Sequence, residues 1–131
     1  QFLFTNTTAV AQAVFITLST TTTSIFPFSV LYLNSFNPAN LALNYRGDSG
    51  SSANNGAPAT YSVTIPAFTN FTVIVNEITA GAGVADYSLT VSGTGISSPN
   101  AVPEGGPGLL LVSALLGGIG LSARRFRASV V

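Results

Sequence analysis

Side chains able to do chemistry are scarce in this chain. It carries four carboxylates, Asp48, Glu77, Asp86 and Glu104, and four guanidinium groups, Arg46, Arg124, Arg125 and Arg127. It has no histidine, lysine or cysteine. A Ser-His-Asp or Cys-His relay therefore cannot be assembled, and neither can a Schiff base or a Ser-Lys pair. Asp48, Glu77 and Asp86 are far apart in the chain, whereas a glycosidase needs two carboxyl groups to converge on one bond. The expectation is a protein that is not an enzyme and needs no cofactor. Calcium is the one metal with candidate ligands, either Asp48 with the Ser and Asn of its loop or Asp86 beside the Gly81–Gly83 turn. No Asp-x-Asp-x-Asp cluster supports it, and solvated loop carboxylates are the plainer reading.

Other polar residues carry weaker signals. Glu77 alternates with Val75 and so shares its face, where it can pair with Arg46 or sit at a surface edge. Asn6-Thr7-Thr8 and Asn70-Phe71-Thr72 match the glycosylation sequon, a pattern common by chance. Gly47-Asp48-Ser49-Gly50 has the lettering of the trypsin-like serine proteases, but with no His to act as base it reads as a loop. Nine Phe and four Tyr with no Trp offer a glycan-stacking surface or, by their alternating positions, a core.

The remaining cluster of function-bearing residues is the C-terminus. Val102-Pro103-Glu104-Gly105-Gly106 precedes an apolar run from Pro107 to Ala123, and Arg124, Arg125 and Arg127 follow it. Those 17 residues would span roughly 25 Å as a helix, near the lower limit for a membrane core about 30 Å thick. Gly108, Gly117, Gly118 and Gly120 would each cost about 1 kcal/mol relative to Ala in a water-exposed helix, and the run lacks a polar face. A transmembrane helix is expected over 107–123, with the arginines stopping transfer on the cytoplasmic side.

This three-part layout resembles the PEP-CTERM class of bacterial sorting signals, whose Pro-Glu-Pro motif is read by an exosortase, a membrane-embedded cysteine protease or transpeptidase. Here Gly105 follows Glu104 where that family has Pro, closer to variant tails with a Val-Pro-Asp-Ser-Gly-like motif. The resemblance implies a sorting motif at 102–106 and a processing enzyme as partner. Pro103 would keep the motif extended and Glu104 would supply a recognisable charge.

Ahead of the tail, period-two alternation dominates. It is seen in Ala13–Ser19, Phe26–Asn34, Thr60–Pro66, Phe71–Thr79 and Asp86–Ser92, with Phe2–Thr8 as a further strand. Phe26–Asn34 is apolar on both faces, as in a central strand. Leu41–Tyr45 is expected to add a short strand, Gly47–Pro58 to be a flexible loop, and the last strands to form hairpin-like pairs around the turns at Pro66–Asn70 and Ala80–Val84. The fold class is all-β: an antiparallel β-sandwich of about seven to eight strands over residues 1–93, a linker over 94–101 and the tail over 102–131.

The stretches Tyr32–Asn40, Asn44–Ser52, Thr60–Ala67 and Asp86–Val91 also resemble secreted bacterial β-sandwich modules related to pre-peptidase C-terminal domains. That resemblance implies an accessory module, in some cases active in adhesion or glycan contact.

Charge narrows the partners. Three of the four arginines lie in the tail, so the preceding segment sets Arg46 against three carboxylates and Glu104 and has no cationic patch for nucleic acid. The expected protein is exported and bacterial, first held in the inner membrane, then displayed at the cell surface or in the extracellular matrix. Exopolysaccharide or matrix is a candidate partner. A permanently anchored glycan- or matrix-binding adhesion module, or an accessory domain of a larger secreted hydrolase, is the alternative. Because Gln1–Thr5 already reads as a strand, an export signal is expected upstream.

Overall fold

Alternation in the strand Gln12–Ser19 sets the architecture. Val14, Ile16 and Leu18 are wholly buried, while Phe15, Thr17 and Ser19 turn to the other face. A strand with one such apolar edge is stable only against a second layer, and the chain supplies it. In the computed structural model, which describes residues 1–79 and 86–98, eight strands form two antiparallel sheets and no helix occurs among the described residues. The strands are β1 (Phe2–Asn6), β2 (Gln12–Ser19), β3 (Pro27–Leu33), β4 (Tyr45–Asp48), β5 (Ala59–Ile65), β6 (Asn70–Glu77), β7 (Ser88–Ser92) and β8 (Ile96–Ser97). One sheet has the order β4-β3-β6-β1-β8 and the other β5-β2-β7. The helix expected over 107–123, the motif at 102–106 and the basic end lie outside the described residues.

The core fills the space between the sheets. Phe2 and Phe4 of β1 and Phe71 and Val73 of β6 point inward from the larger sheet, and Phe4 stacks on Phe71 with ring centroids 5.3 Å apart. Val14, Ile16 and Leu18 of β2 and Leu89 and Val91 of β7 belong to the same buried cluster. β3 lies between β4 and β6, in keeping with its apolar residues on both faces.

Several expectations are corrected. The last strands do not form hairpins: β5 pairs with β2, β6 with β1 and β3, and β7 with β2. The turn around Ala67 and Phe68 carries the chain from one sheet to the other. Alternation identified the strands, but it says nothing about which neighbour pairs with which. Leu41–Asn44 is a series of turns, with Leu43 N bonded to Asn40 O and Asn44 at φ 63°, and the strand begins only at Tyr45. Leu41 and Leu43 are exposed and have no sheet to cover.

The segment 47–58 is pinned. Gly47 and Asp48 belong to β4, and Ala53 is wholly buried with its amide on Pro27 O at 2.9 Å. Asn54 and Ala57 exchange two backbone bonds around Asn55-Gly56, where Gly56 takes φ 79°. The sandwich also runs past Gly93: Ile96 is buried and β8 pairs with the end of β1.

Candidate functional site

The polar side chains singled out in the sequence are placed far from one another, and most are spent on holding loops. Asp48 sits on β4 opposite Val30. Its Oδ2 accepts from the Tyr45 hydroxyl at 2.7 Å and its Oδ1 from Gly50 N at 2.7 Å. The hydrogen bond to Asp48, with lesser effects of burial and of the Asp48 charge, raises the Tyr45 pKa. Ser49, next in the Gly-Asp-Ser-Gly stretch, donates its amide to Ser29 O at 3.0 Å and so extends the β3–β4 pairing. It stands in a strand-edge loop with no base beside it.

Asp86 is exposed at the start of the segment leading into β7, and its carbonyl accepts from Thr20 Oγ1 at 2.6 Å. The two calcium candidates thus stand apart, Asp48 on β4 of one sheet and Asp86 just ahead of β7 of the other. Among the described residues no group of three or more Asp, Glu, His or Cys side chains gathers to hold a metal ion.

Glu77 meets backbone amides in place of Arg46. Its two oxygens accept from Phe26 N at 2.9 and 3.1 Å, and Oε1 also accepts from Thr79 N at 2.8 Å. Burial pushes the Glu77 carboxyl up, but these donors outweigh it and hold the pKa below the usual carboxylate value. Pro27 pairs with Glu77 and Tyr32 with Tyr45, so Arg46 lies towards the other end of β3.

The residue that sequence reasoning missed is Asn6. Singled out in the sequence only as part of a sequon, it closes β1 as a fully buried side chain. Its Nδ2 donates to Val10 O at 3.0 Å, Ile65 O at 3.2 Å and Pro66 O at 2.8 Å. Its Oδ1 accepts from Thr8 N at 3.0 Å and Thr8 Oγ1 at 2.8 Å. It ties together two of the places where the chain changes sheet, β1 to β2 and β5 to β6. A buried amide so engaged is no glycosylation acceptor in the folded chain, whereas Asn70, the other sequon, is exposed.

Two buried hydroxyls have no hydrogen-bond partner among the described residues, Ser29 Oγ and Tyr61 Oη. Burial lifts the Tyr61 pKa to about 12, against the lowering effect of the nearby Ser29 hydroxyl.

The aromatics divide. Phe2, Phe4, Phe71 and Tyr32 are buried, with Tyr32 covered by Phe36 at 4.9 Å and by Tyr45 edge-on at 6.2 Å. Phe15, Phe26, Tyr45 and Phe68 are exposed, so the aromatic complement is less completely a core than the alternation implied.

One concavity is chemically distinctive. An open cleft of about 230 Å³ is lined by Ser19, Thr20, Thr21, Asp86, Tyr87 and Ser88. Ser19 and Ser88, both in its lining, share a hydroxyl hydrogen bond of 2.6 Å, and Thr20 Oγ1 accepts from Thr22 N at 3.1 Å. Burial raises the Tyr87 pKa, so this phenol stays neutral and able to donate. The lining combines Ser and Thr hydroxyl residues with Asp86 and Tyr87, and no nucleophile–base pair is among them.

Neither a protein-family model, nor a curated protein, nor a solved structure matches this chain.

Proposed function

We propose that the chain is a non-catalytic exported bacterial surface protein: a β-sandwich displayed outside the cell and held by a C-terminal membrane-retention and sorting tail. The observation that carries this reading is the order of its last thirty residues, a short Pro-Glu motif, an uncharged apolar run and an arginine cluster. In this reading Arg124, Arg125 and Arg127 stop transfer at the cytoplasmic face. The helix over 107–123 then brings Val102, Pro103, Glu104, Gly105 and Gly106 to membrane height, where an exosortase-like enzyme reads them.

The path of the described chain is compatible with that arrangement. β8 runs antiparallel to β1, so the chain proceeds from Ile96 beside Asn6 towards Ser98, whose hydroxyl donates to Leu3 O at 3.3 Å. It is therefore heading away from the end of the sandwich that holds the Asn6 knot, the Phe68 turn and the 34–44 loop.

Intact-mass measurement of exported protein, with the native tail and with Glu104→Ala, tests the proposal. Processing near 102–106 gives a shortened mass for the native chain and the full-length mass for the variant. The full-length mass in both overturns the sorting reading, and recovery of Arg124–Val131 in the membrane fraction then assigns a permanent anchor.

A further inference from the structure

We infer that the outer face of the three-stranded sheet, together with the cleft at its end, binds a neutral saccharide chain. The register builds this face in rows. Phe15 lies between Ser62 and Ser92, the next row is Thr60–Thr17–Thr90, and Ser19 pairs with Ser88 at the lip of the cleft. Alternation turns every one of these side chains away from the core. Four of the hydroxyls are held in place in pairs, Thr17 with Thr60 at 3.1 Å and Ser19 with Ser88 at 2.6 Å. A hydroxyl engaged in one bond still has acceptor capacity, and its rotor can reverse the direction of donation.

Phe15 is the one large apolar side chain among these rows, and at 53 % exposure it pays for no core contact. A flat ring beside fixed hydroxyls is the complement of a sugar, whose C–H face stacks on an aromatic ring while its hydroxyls meet donors and acceptors at the rim. The rows from Phe15 to Ser19 cover roughly 14 Å at ~3.4 Å per residue, a track for several rings. The cleft beyond, with Asp86 and Tyr87 in its lining, continues the track past Ser19 and Ser88.

Charge and area select this occupant. No ionised side chain stands on the rows. Arg46, the one Arg among the described residues, lies on β4 of the other sheet, so a polyanion would find no cation here. The face measures roughly 14 by 17 Å, on the order of 250 Å², from ~4.8 Å strand spacing and five residues of shared length. A stable protein interface needs about 800 Å² from each partner and an apolar centre, which disfavours a second copy. The inference holds whether or not the tail is processed, so failure of one leaves the other standing.

Isothermal titration calorimetry on the full chain in a sugar-free zwitterionic detergent tests it, with cellohexaose, maltohexaose, mannohexaose and the chitin hexamer as probes. At least one probe is expected to bind. Phe15→Ala should weaken that binding about tenfold, and Thr17→Val combined with Thr90→Val should weaken it further. Phe68→Ala, an exposed ring in the turn between β5 and β6, should leave it unchanged. Thermal melts of the variants by circular dichroism separate lost binding from lost fold. Absence of binding to all four probes overturns the inference, as does binding that survives Phe15→Ala in a folded variant. So does self-association by sedimentation that Phe15→Ala abolishes, because that outcome assigns the face to a second copy.

Discussion

Asn6 is the point at which the fold can be tested most sharply. Replacing it with Ala removes five side-chain hydrogen-bond contacts, the two Nδ2 hydrogens being shared among three carbonyls and Oδ1 accepting two more. A buried hydrogen bond contributes about 1 kcal/mol net, and the carbonyls left without a donor add desolvation costs. The bonds share one side chain and do not simply add, so Asn6→Ala should cost about 3–5 kcal/mol. For a domain of this size each kcal/mol moves the melting temperature by roughly 4–8 °C, so the variant should melt at least ~12 °C lower or fail to fold. Urea unfolding followed by circular dichroism at 25 °C measures the difference.

Asn6→Asp adds a pH signature. Its carboxylate would be fully buried against three carbonyl oxygens, and both burial and repulsion raise its folded pKa above the unfolded value near ~3.9. For an acid whose folded pKa is raised, the penalty is absent while both states are protonated. The variant should therefore lie nearest the wild type below about pH 4 and fall progressively behind as pH rises towards the folded pKa. A loss below about 1 kcal/mol in Asn6→Ala, or a gap in Asn6→Asp that is independent of pH, would refute the assignment of Asn6 as the tie between the sheet crossings.

Further outcomes follow from other sites. Tyr61→Phe removes a buried hydroxyl with no partner among the described residues and should be neutral or stabilising by up to ~1 kcal/mol in the same urea assay. Leu89→Ala empties a wholly buried position between the sheets and should cost about 2–5 kcal/mol. Gly95 takes φ 65° with Thr8 crowding the position a Cβ would occupy, so Gly95→Ala should cost more than ~1 kcal/mol. Glu77 has a lowered folded pKa, so its stabilising contribution is present above the ordinary value of 4.5 and lost as pH falls through the folded one. Acid titration of stability should accordingly show a loss below that value that Glu77→Gln lacks.

Period two made the strands legible, because a half-buried sheet residue must alternate, and Val14, Ile16 and Leu18 could hardly read otherwise. Pairing was not legible. β5 and β6 adjoin in sequence across a Pro-Ala turn, yet they lie in different sheets, and only packing between the sheets decides that. Leu41 and Leu43 mimicked a strand by alternation, but alternation without a second layer buries nothing. The roles of Glu77 and Asn6 were hidden for another reason. Both bond backbone groups of residues far away in the sequence, and backbone partners leave no side-chain signature. The rows on the three-stranded sheet lay in plain view as serines and threonines, but their assembly into one face needed the register. The tail is the opposite case, since its signal lies entirely in the linear order of residues.

The position of β1 has a consequence for the order of events when the chain is made. β1 precedes the other seven strands of the sandwich, yet its two neighbours are β6 and β8, so its partners for Phe2–Thr5 run from Asn70 to Val73 and those for Thr5 and Asn6 are Ser97 and Ile96. An emerging chain therefore carries Phe2 and Phe4 without a sheet to bury them until some seventy residues have followed, and its larger sheet stays open until Ile96 arrives. Pairings so distant in sequence close slowly. β1 thus waits unpaired while β2 to β5 are made, and the larger sheet is complete only when Ile96 and Ser97 have followed.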